Sequence, residues 1–330
     1  MPPKELRKDE FLNAMQGKSS SWENDSYEGF RLGKESEKNQ GPKMNLPLCN
    51  KLIVAPVADL LEGSEIIIVP DRSLYNIPFA ALPDESGKTL SETFKIRVAP
   101  SLTTLRLIHD SPADYHSQTG ALIVGNPDVG EVIFKGRLTP ISRLPWAEEE
   151  AKMVGRKLGV EPLLGQQATK QAVLQAMDSV ALIHLAAHGD AERGEIALAP
   201  SFRPPNSIPR EGLYLLTTSD ISKVQLRAKL VVLSCCHSAR GEIKAEGAVG
   251  IARAFLGSGA RSVLVSLWAL EDSSTEQLMS HFYDRLVRGE SASDSLHQAM
   301  EWMRCNGYSD VRQWAPFVLI GDNVTFDFGK

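Results

Sequence analysis

The sequence predicts an α/β protein with a mostly parallel central sheet and helices on both faces. Three observations predict it. Short, continuous apolar runs recur along the chain, as at Leu230-Val231-Val232-Leu233 and Ala121-Leu122-Ile123-Val124. Segments with helical spacing of apolar residues alternate with them. None of the runs shows the in–out alternation of a strand with one wet face, so both faces of the sheet must be covered.

The elements follow in order. Residues 1–45 form a Ser-, Lys-, Glu- and Asn-rich arm whose aromatics Trp22, Tyr27 and Phe30 are widely spaced. It holds too little apolar surface to offset its ordering entropy and is expected to be disordered or loosely attached. The domain proper is expected over 46–330. Glu65-Ile66-Ile67-Ile68-Val69 is a β-branched run stopped by Pro70. Asp71-Arg72-Ser73 reads as a turn, Leu74 to Leu82 as an apolar stretch broken by Pro78, and Lys95 to Val98 as a second strand. Ala121 to Gly125 is a buried strand closed by Asn126-Pro127-Asp128. Pro145 suits a first helical turn, with Ala147, Ala151, Val154 and Leu158 following at helical spacing.

Thr169 is placed to cap a second helix carrying Val173, Leu174 and Met177. Val180 to Leu185 is the next strand and runs into Ala186-Ala187-His188-Gly189-Asp190. Residues 190–228 read as a long loop region with short elements. After the strand Leu230 to Ser234, a helix rich in small residues is expected over Glu246 to Leu256. Ser262 to Leu267 is a strand, Thr275 to Val287 and Ala292 to Met303 are helices, and Phe317 to Gly321 is the last strand. No internal repeat of roughly 20 to 50 residues is visible.

Bulk properties narrow the function. The formal net charge of −5 argues against a surface that tracks nucleic-acid phosphates. No apolar run approaches the roughly 20 residues that span a bilayer, and no signal-peptide core follows the start. The four cysteines, at 49, 235, 236 and 305, suggest no disulfide framework. A reduced, cytoplasmic protein is expected.

In open parallel sheets ligands collect at the carboxyl ends of the strands. Two such ends carry reactive side chains: His188-Gly189-Asp190 and Cys235-Cys236-His237-Ser238. A thiol needs a base or a positive neighbour to become a nucleophile, and an imidazole supplies either. Gly189 beside the histidine lets a substrate backbone approach and offers an N–H to an oxyanion. His188 precedes Cys236 by 48 positions, close to the roughly 50 residues of caspase-type sequences. The local caspase signature Gln-Ala-Cys-x-Gly is absent. Cys235 is expected to pack at the strand end, His184 to be a satisfied core histidine and His237 a solvated loop residue. Adjacent Cys235, Cys236 and His237 cannot surround one metal ion, so no metal and no cofactor are expected. There is no Gly-Lys-Ser/Thr phosphate loop, dinucleotide fingerprint or Gly-x-Ser-x-Gly elbow.

Beyond spacing, the chain resembles the CHAT domain, a caspase-like peptidase domain often found behind tetratricopeptide repeats. The resemblance rests on Val69-Pro70-Asp71-Arg72-Ser73-Leu74-Tyr75-Asn76-Ile77-Pro78-Phe79-Ala80-Ala81-Leu82, on Val124-Gly125-Asn126-Pro127 and on the Leu144 to Glu150 helix start. It continues through His184-Leu185-Ala186-Ala187-His188-Gly189, Leu233-Ser234-Cys235-Cys236 and Ser266-Leu267-Trp268 with Asp272. The double-cysteine version is similar to the domain ending large animal tetratricopeptide repeat proteins. The resemblance implies a caspase-like three-layer fold, a peptidase of clan CD and a His188–Cys236 dyad. For such a reaction the N–H groups of Gly189 and Cys236 are the expected oxyanion donors. Cys235 and His237 depart from the family's usual residues at their positions. Asp272 is the candidate acid for a basic P1 side chain, with Trp268 lining the same pocket. The alternatives are that Asp272 caps the next helix and Trp268 seals the sheet top. Partners are expected to be a protein or peptide substrate and tetratricopeptide-repeat segments or a regulatory protein. The competing function is a non-catalytic interaction scaffold, and an intermediate one is an enzyme latent until a partner binds.

Overall fold

The computed structural model describes residues 44–112, 114–190, 194–203, 207–235, 243–244, 247–248, 250–268 and 272–328. Residues 1–43 of the arm expected over 1–45 lie outside them, as do Cys236 and His237. Asn45 marks the start of regular structure, its side chain accepting from the Leu48 N–H at the head of α1, Leu46–Ile53.

In chain order the first strands are β1, Glu65–Ile68, and β2, Lys95–Val98, followed by α2, Leu102–His109. The apolar stretch between them is broken by Pro78 into two 3₁₀ turns, Arg72–Asn76 and Phe79–Ala81. Next come β3, Ala121–Pro127, the hairpin β4, Gly130–Phe134, with β5, Arg137–Ile141, and helix α3, Pro145–Leu158. Then follow β6, Leu163–Gly165, α4, Lys170–Ala176, β7, Leu182–Ala186, β8, His188–Gly189, and β9, Ile196–Ala197. Residues α5, Glu211–Tyr214, β10, Leu215–Leu216, and α6, Thr218–Ile221, are the short elements of the expected loop region. The last third holds β11, Leu230–Leu233, β12, Ile243–Lys244, β13, Gly247–Ala248, α7, Ile251–Gly257, and β14, Ser262–Ser266. It closes with α8, Asp272–Leu286, α9, Ala292–Cys305, α10, Val311–Trp314, and β15, Phe317–Gly321.

Eight strands form the central sheet in the order β1-β2-β15-β14-β11-β7-β3-β6. All neighbours are parallel except β14 and β15. Five strands therefore point one way and three the other. Period-two alternation sends Leu230 and Val232 to one face, where they meet α3, α8 and α9 through Val154, Phe282 and Met300. It sends Val231 and Leu233 to the other, against α4, α6 and α7 through Val173, Ile221 and Phe255. Both faces are dry, which is why the strands read as unbroken apolar runs. Each such Leu, Val or Phe contributes roughly 1.5–3 kcal/mol of burial.

Two elements differ from the sequence reading. The helix expected over Glu246–Leu256 begins only at Ile251, and Gly247–Ala248 pair instead with Ile243–Lys244. Gly247 and Gly250 weaken helix formation at the front of that segment, and Gly250 becomes the residue before the helix. The helix expected from Thr275 begins three residues earlier, so Asp272 is its first residue. The β4–β5 hairpin had no counterpart in the reading. Its turn is Lys135-Gly136, both with positive φ, 49° and 75°.

Candidate active site

β7 and β11 are adjacent and in register, Leu233 opposite Leu185, so their carboxyl ends leave the sheet side by side. Beyond β11, the Ser234 N–H donates to the Leu185 carbonyl at 2.9 Å, and the Cys235 thiol reaches the same oxygen at 3.2 Å. Cys235 is 1% exposed and packs with the α7 face of the sheet. The next residue, Cys236, lies outside the described residues.

Beyond β7, Ala187 leads into His188-Gly189, which pairs antiparallel with Ile196-Ala197. Past this pair, the Asp190 N–H donates to the Glu195 carbonyl and the Gly194 N–H to the Asp190 carbonyl, both at 2.8 Å. The His188 ring is half-buried, and its Nε2 lies 2.8 Å from the Ser142 carbonyl oxygen. A carbonyl only accepts, so Nε2 carries the proton and in the neutral ring the lone pair sits on Nδ1. Burial pushes the imidazole pKa below the ordinary histidine range, with the Ser142 hydrogen bond opposing. At neutral pH the ring is therefore uncharged, the state in which it can take a proton.

The other candidates sit around this edge. Trp268 follows β14 and is 4% exposed, and its indole N–H donates to the Arg312 carbonyl at 3.0 Å. Ser266 Oγ donates to the Trp268 carbonyl and fixes the turn. Asp272 opens α8, but its side chain falls outside the described residues. His184 is fully buried between Glu150 and Tyr283 and takes no part in the edge. A cavity of ≈ 30 Å³ lies between α7 and the sheet, lined by Tyr75, Val98, Arg253, Leu267 and Val318. It has room for about two waters rather than for a substrate side chain. Among the described residues, no three His, Cys, Asp or Glu are grouped as a metal site would need. No helix among them is long and apolar enough to cross a membrane.

Sequence reasoning missed the Ser142 carbonyl, because a backbone acceptor leaves no mark on residue type. It noticed Gly125-Asn126-Pro127 and the Leu144 to Glu150 segment without a role for either.

A mostly parallel sheet between helical layers, with a histidine and a cysteine strand at neighbouring carboxyl ends, defines a caspase-like fold. The separase chain of the Saccharomyces cerevisiae separase–securin complex superposes on 88% of this chain with a TM-score of 0.53. The two are 15% identical, and the match spans 18% of that chain. The CHAT domain family matches residues 47–322, and the chain belongs to that family. Tetratricopeptide repeat protein 28 of Homo sapiens is 32% identical over 319 residues, covering 83% of this chain. The Mus musculus protein matches at the same identity and coverage. In both cases the match spans 13% of the relative's length.

Proposed function

We propose that this chain is a cysteine endopeptidase domain working through a His188–Cys236 dyad. The observation that carries the reading is His188 itself. It is held at the carboxyl edge beside the cysteine-bearing strand, uncharged, with Nε2–H committed to the Ser142 carbonyl. A fixed tautomer with a lone pair on Nδ1 is what a general base beside a thiol requires.

In this reading His188 takes the Cys236 proton as sulfur attacks the scissile carbonyl, and the N–H groups of Gly189 and Cys236 bind the oxyanion. The C–N bond breaks as the imidazolium returns the proton to the leaving amine. His188 then removes a proton from water, whose oxygen attacks the thioester and releases the acid and the thiol. Asp272, at the head of α8, pairs with a basic P1 side chain, and Trp268 forms the floor beside it. The domain spans 46–330, with residues 1–45 as a separate arm, and works in the cytoplasm on a protein or peptide substrate.

A second reading is a scaffold that has kept the fold, or an enzyme latent until a partner binds. The observation favouring it is that the matched relatives are tetratricopeptide repeat proteins of which this chain spans 13%. A fluorogenic peptide library, cleaved side by side by wild type and Cys236→Ala in reducing buffer, separates the readings. Cleavage after Arg or Lys by wild type alone is expected. Equal rates from both proteins would end the dyad assignment, and silence from both folded proteins would favour the scaffold or the latent enzyme.

A further inference from the structure

The carbonyl that holds His188 belongs to a loop, and the loop is itself held from β3. Near its end β3 is bulged: its register against β6 shifts between Gly125 and Pro127, leaving Asn126 as the extra residue. Asn126 has φ 46°, a left-handed conformation that asparagine tolerates better than most residues. A bulge re-aims the side chain it carries. Here the side chain turns to the start of α3, where it is 2% exposed.

There it makes two hydrogen bonds. Asn126 Oδ1 accepts from the Leu144 N–H at 2.6 Å, and Nδ2 donates to Glu148 Oε2 at 2.9 Å. The amide orientation follows from the network, since an N–H needs an oxygen and a carboxylate needs a donor. Leu144 is the residue before α3 and supplies no side-chain cap of its own. Asn126 thus fixes the helix start from a neighbouring strand. Glu148 is held in turn by Lys152 Nζ at 2.8 Å, and Arg143 Nη2 lies 3.7 Å away. Gly125 permits the close approach: a Cβ there would fall 2.4 Å from Ala151 Cβ and 2.7 Å from the Ala147 carbonyl. The two segments that sequence singled out without a role therefore grip each other. Two residues before the gripped N–H stands Ser142.

We infer that Asn126, braced by Glu148, is a positioning residue for His188, setting the Ser142 carbonyl that fixes its tautomer. The catalytic half of this statement rests on the peptidase reading, whereas the structural half stands without it. Asn126 touches no reacting atom. Its removal frees the 142–144 loop, and the Ser142 carbonyl no longer holds one ring nitrogen protonated.

The test uses the full chain labelled with ¹⁵N-histidine, comparing wild type, Asn126→Ala, Asn126→Asp and Glu148→Ala. Imidazole ¹⁵N shifts report the tautomer, and peptide turnover reports kcat and KM separately. Wild type is expected to show a single Nε2–H tautomer at His188. Asn126→Ala is expected to show a mixture, with kcat reduced about tenfold and KM within twofold. Asn126→Asp, which keeps the acceptor for Leu144, should retain the tautomer better than Asn126→Ala. Glu148→Ala should shift the tautomer part of the way, and it decides the matter if Asn126→Ala does not fold. An unchanged tautomer in the folded variants overturns the inference whatever the activity. A changed tautomer in a chain that cleaves nothing upholds the positioning role and moves the function to the scaffold or latent-enzyme reading instead.

Discussion

Two histidines lie four residues apart at one strand, and their surroundings could hardly differ more. His184 sits inside β7 with no exposed surface, its Nδ1 3.0 Å from the Tyr283 hydroxyl and its Nε2 3.3 Å from Glu150 Oε1. Its two neighbours come from α3 and α8, and the Tyr283 hydroxyl ties α8 to the sheet from within. His188 lies past the strand end and is held by a backbone carbonyl on a loop. One ring is enclosed by side chains that leave no room for a reactant, and the other is fixed on one nitrogen at an edge. Histidine chemistry here is decided by where the partners come from, not by the residue type.

The largest expected effect sharpens the contrast at the edge. His188→Ala should lower kcat/KM by about 10³-fold, within the range of general acid–base contributions, while stability changes by less than about 1 kcal/mol. Steady-state kinetics paired with chemical denaturation reads both. His184→Ala should do the reverse. It leaves the buried Tyr283 hydroxyl without its hydrogen-bond partner and opens a cavity beside Glu150, at a cost of about 3 kcal/mol, with kcat near wild type in the folded fraction. Loss of turnover in a fully folded His184 variant would erase the distinction between the two rings.

A smaller effect is expected from Tyr283→Phe, about 1 kcal/mol, since the ring packing survives and one buried hydrogen bond is lost. Denaturation midpoints at constant slope would measure it. The smallest effect concerns pH. His188 has a folded pKa below its unfolded value near 6.5, so the unfolded chain binds a proton that the folded one refuses. Its contribution is complete above the unfolded pKa and is lost as pH falls toward the folded one. Burial lowers His116, His281 and His297 in the same direction. Unfolding free energy should therefore fall below about pH 6.5, and His188→Ala should flatten part of that slope.

Much of this was legible in the sequence for a simple reason. Strands dry on both faces must be continuously apolar, so Leu182–Ala186, Leu230–Leu233 and Ser262–Ser266 announce themselves. The β4–β5 hairpin did not, because its outer face is wet and its turn is Lys135-Gly136 rather than an Asn-Gly pair. The small residues near Ala248 promised a helix that glycine delays to Ile251. At the candidate site, His188 could be picked out because an imidazole declares itself in the residue type. The Ser142 carbonyl could not, since any residue at 142 offers the same oxygen. Asn126 could be seen only as part of a pattern, because its role depends on a bulge that residue types alone do not reveal.

The single antiparallel joint in the sheet also sets an order of events. β2 has β1 on one side and β15 on the other, so its inner edge is met by the last strand among the described residues. Arg97 spans that seam, donating to the Gly321 carbonyl 224 residues away at 3.0 Å and pairing with Glu65 beside it at 2.9 Å. On a ribosome making about 5–20 residues per second, the β1–β2 pair waits roughly 10 to 45 seconds for its neighbour. Through that interval the inner edge of β2 lacks its neighbour, and an unpaired strand edge is a template for pairing with another chain.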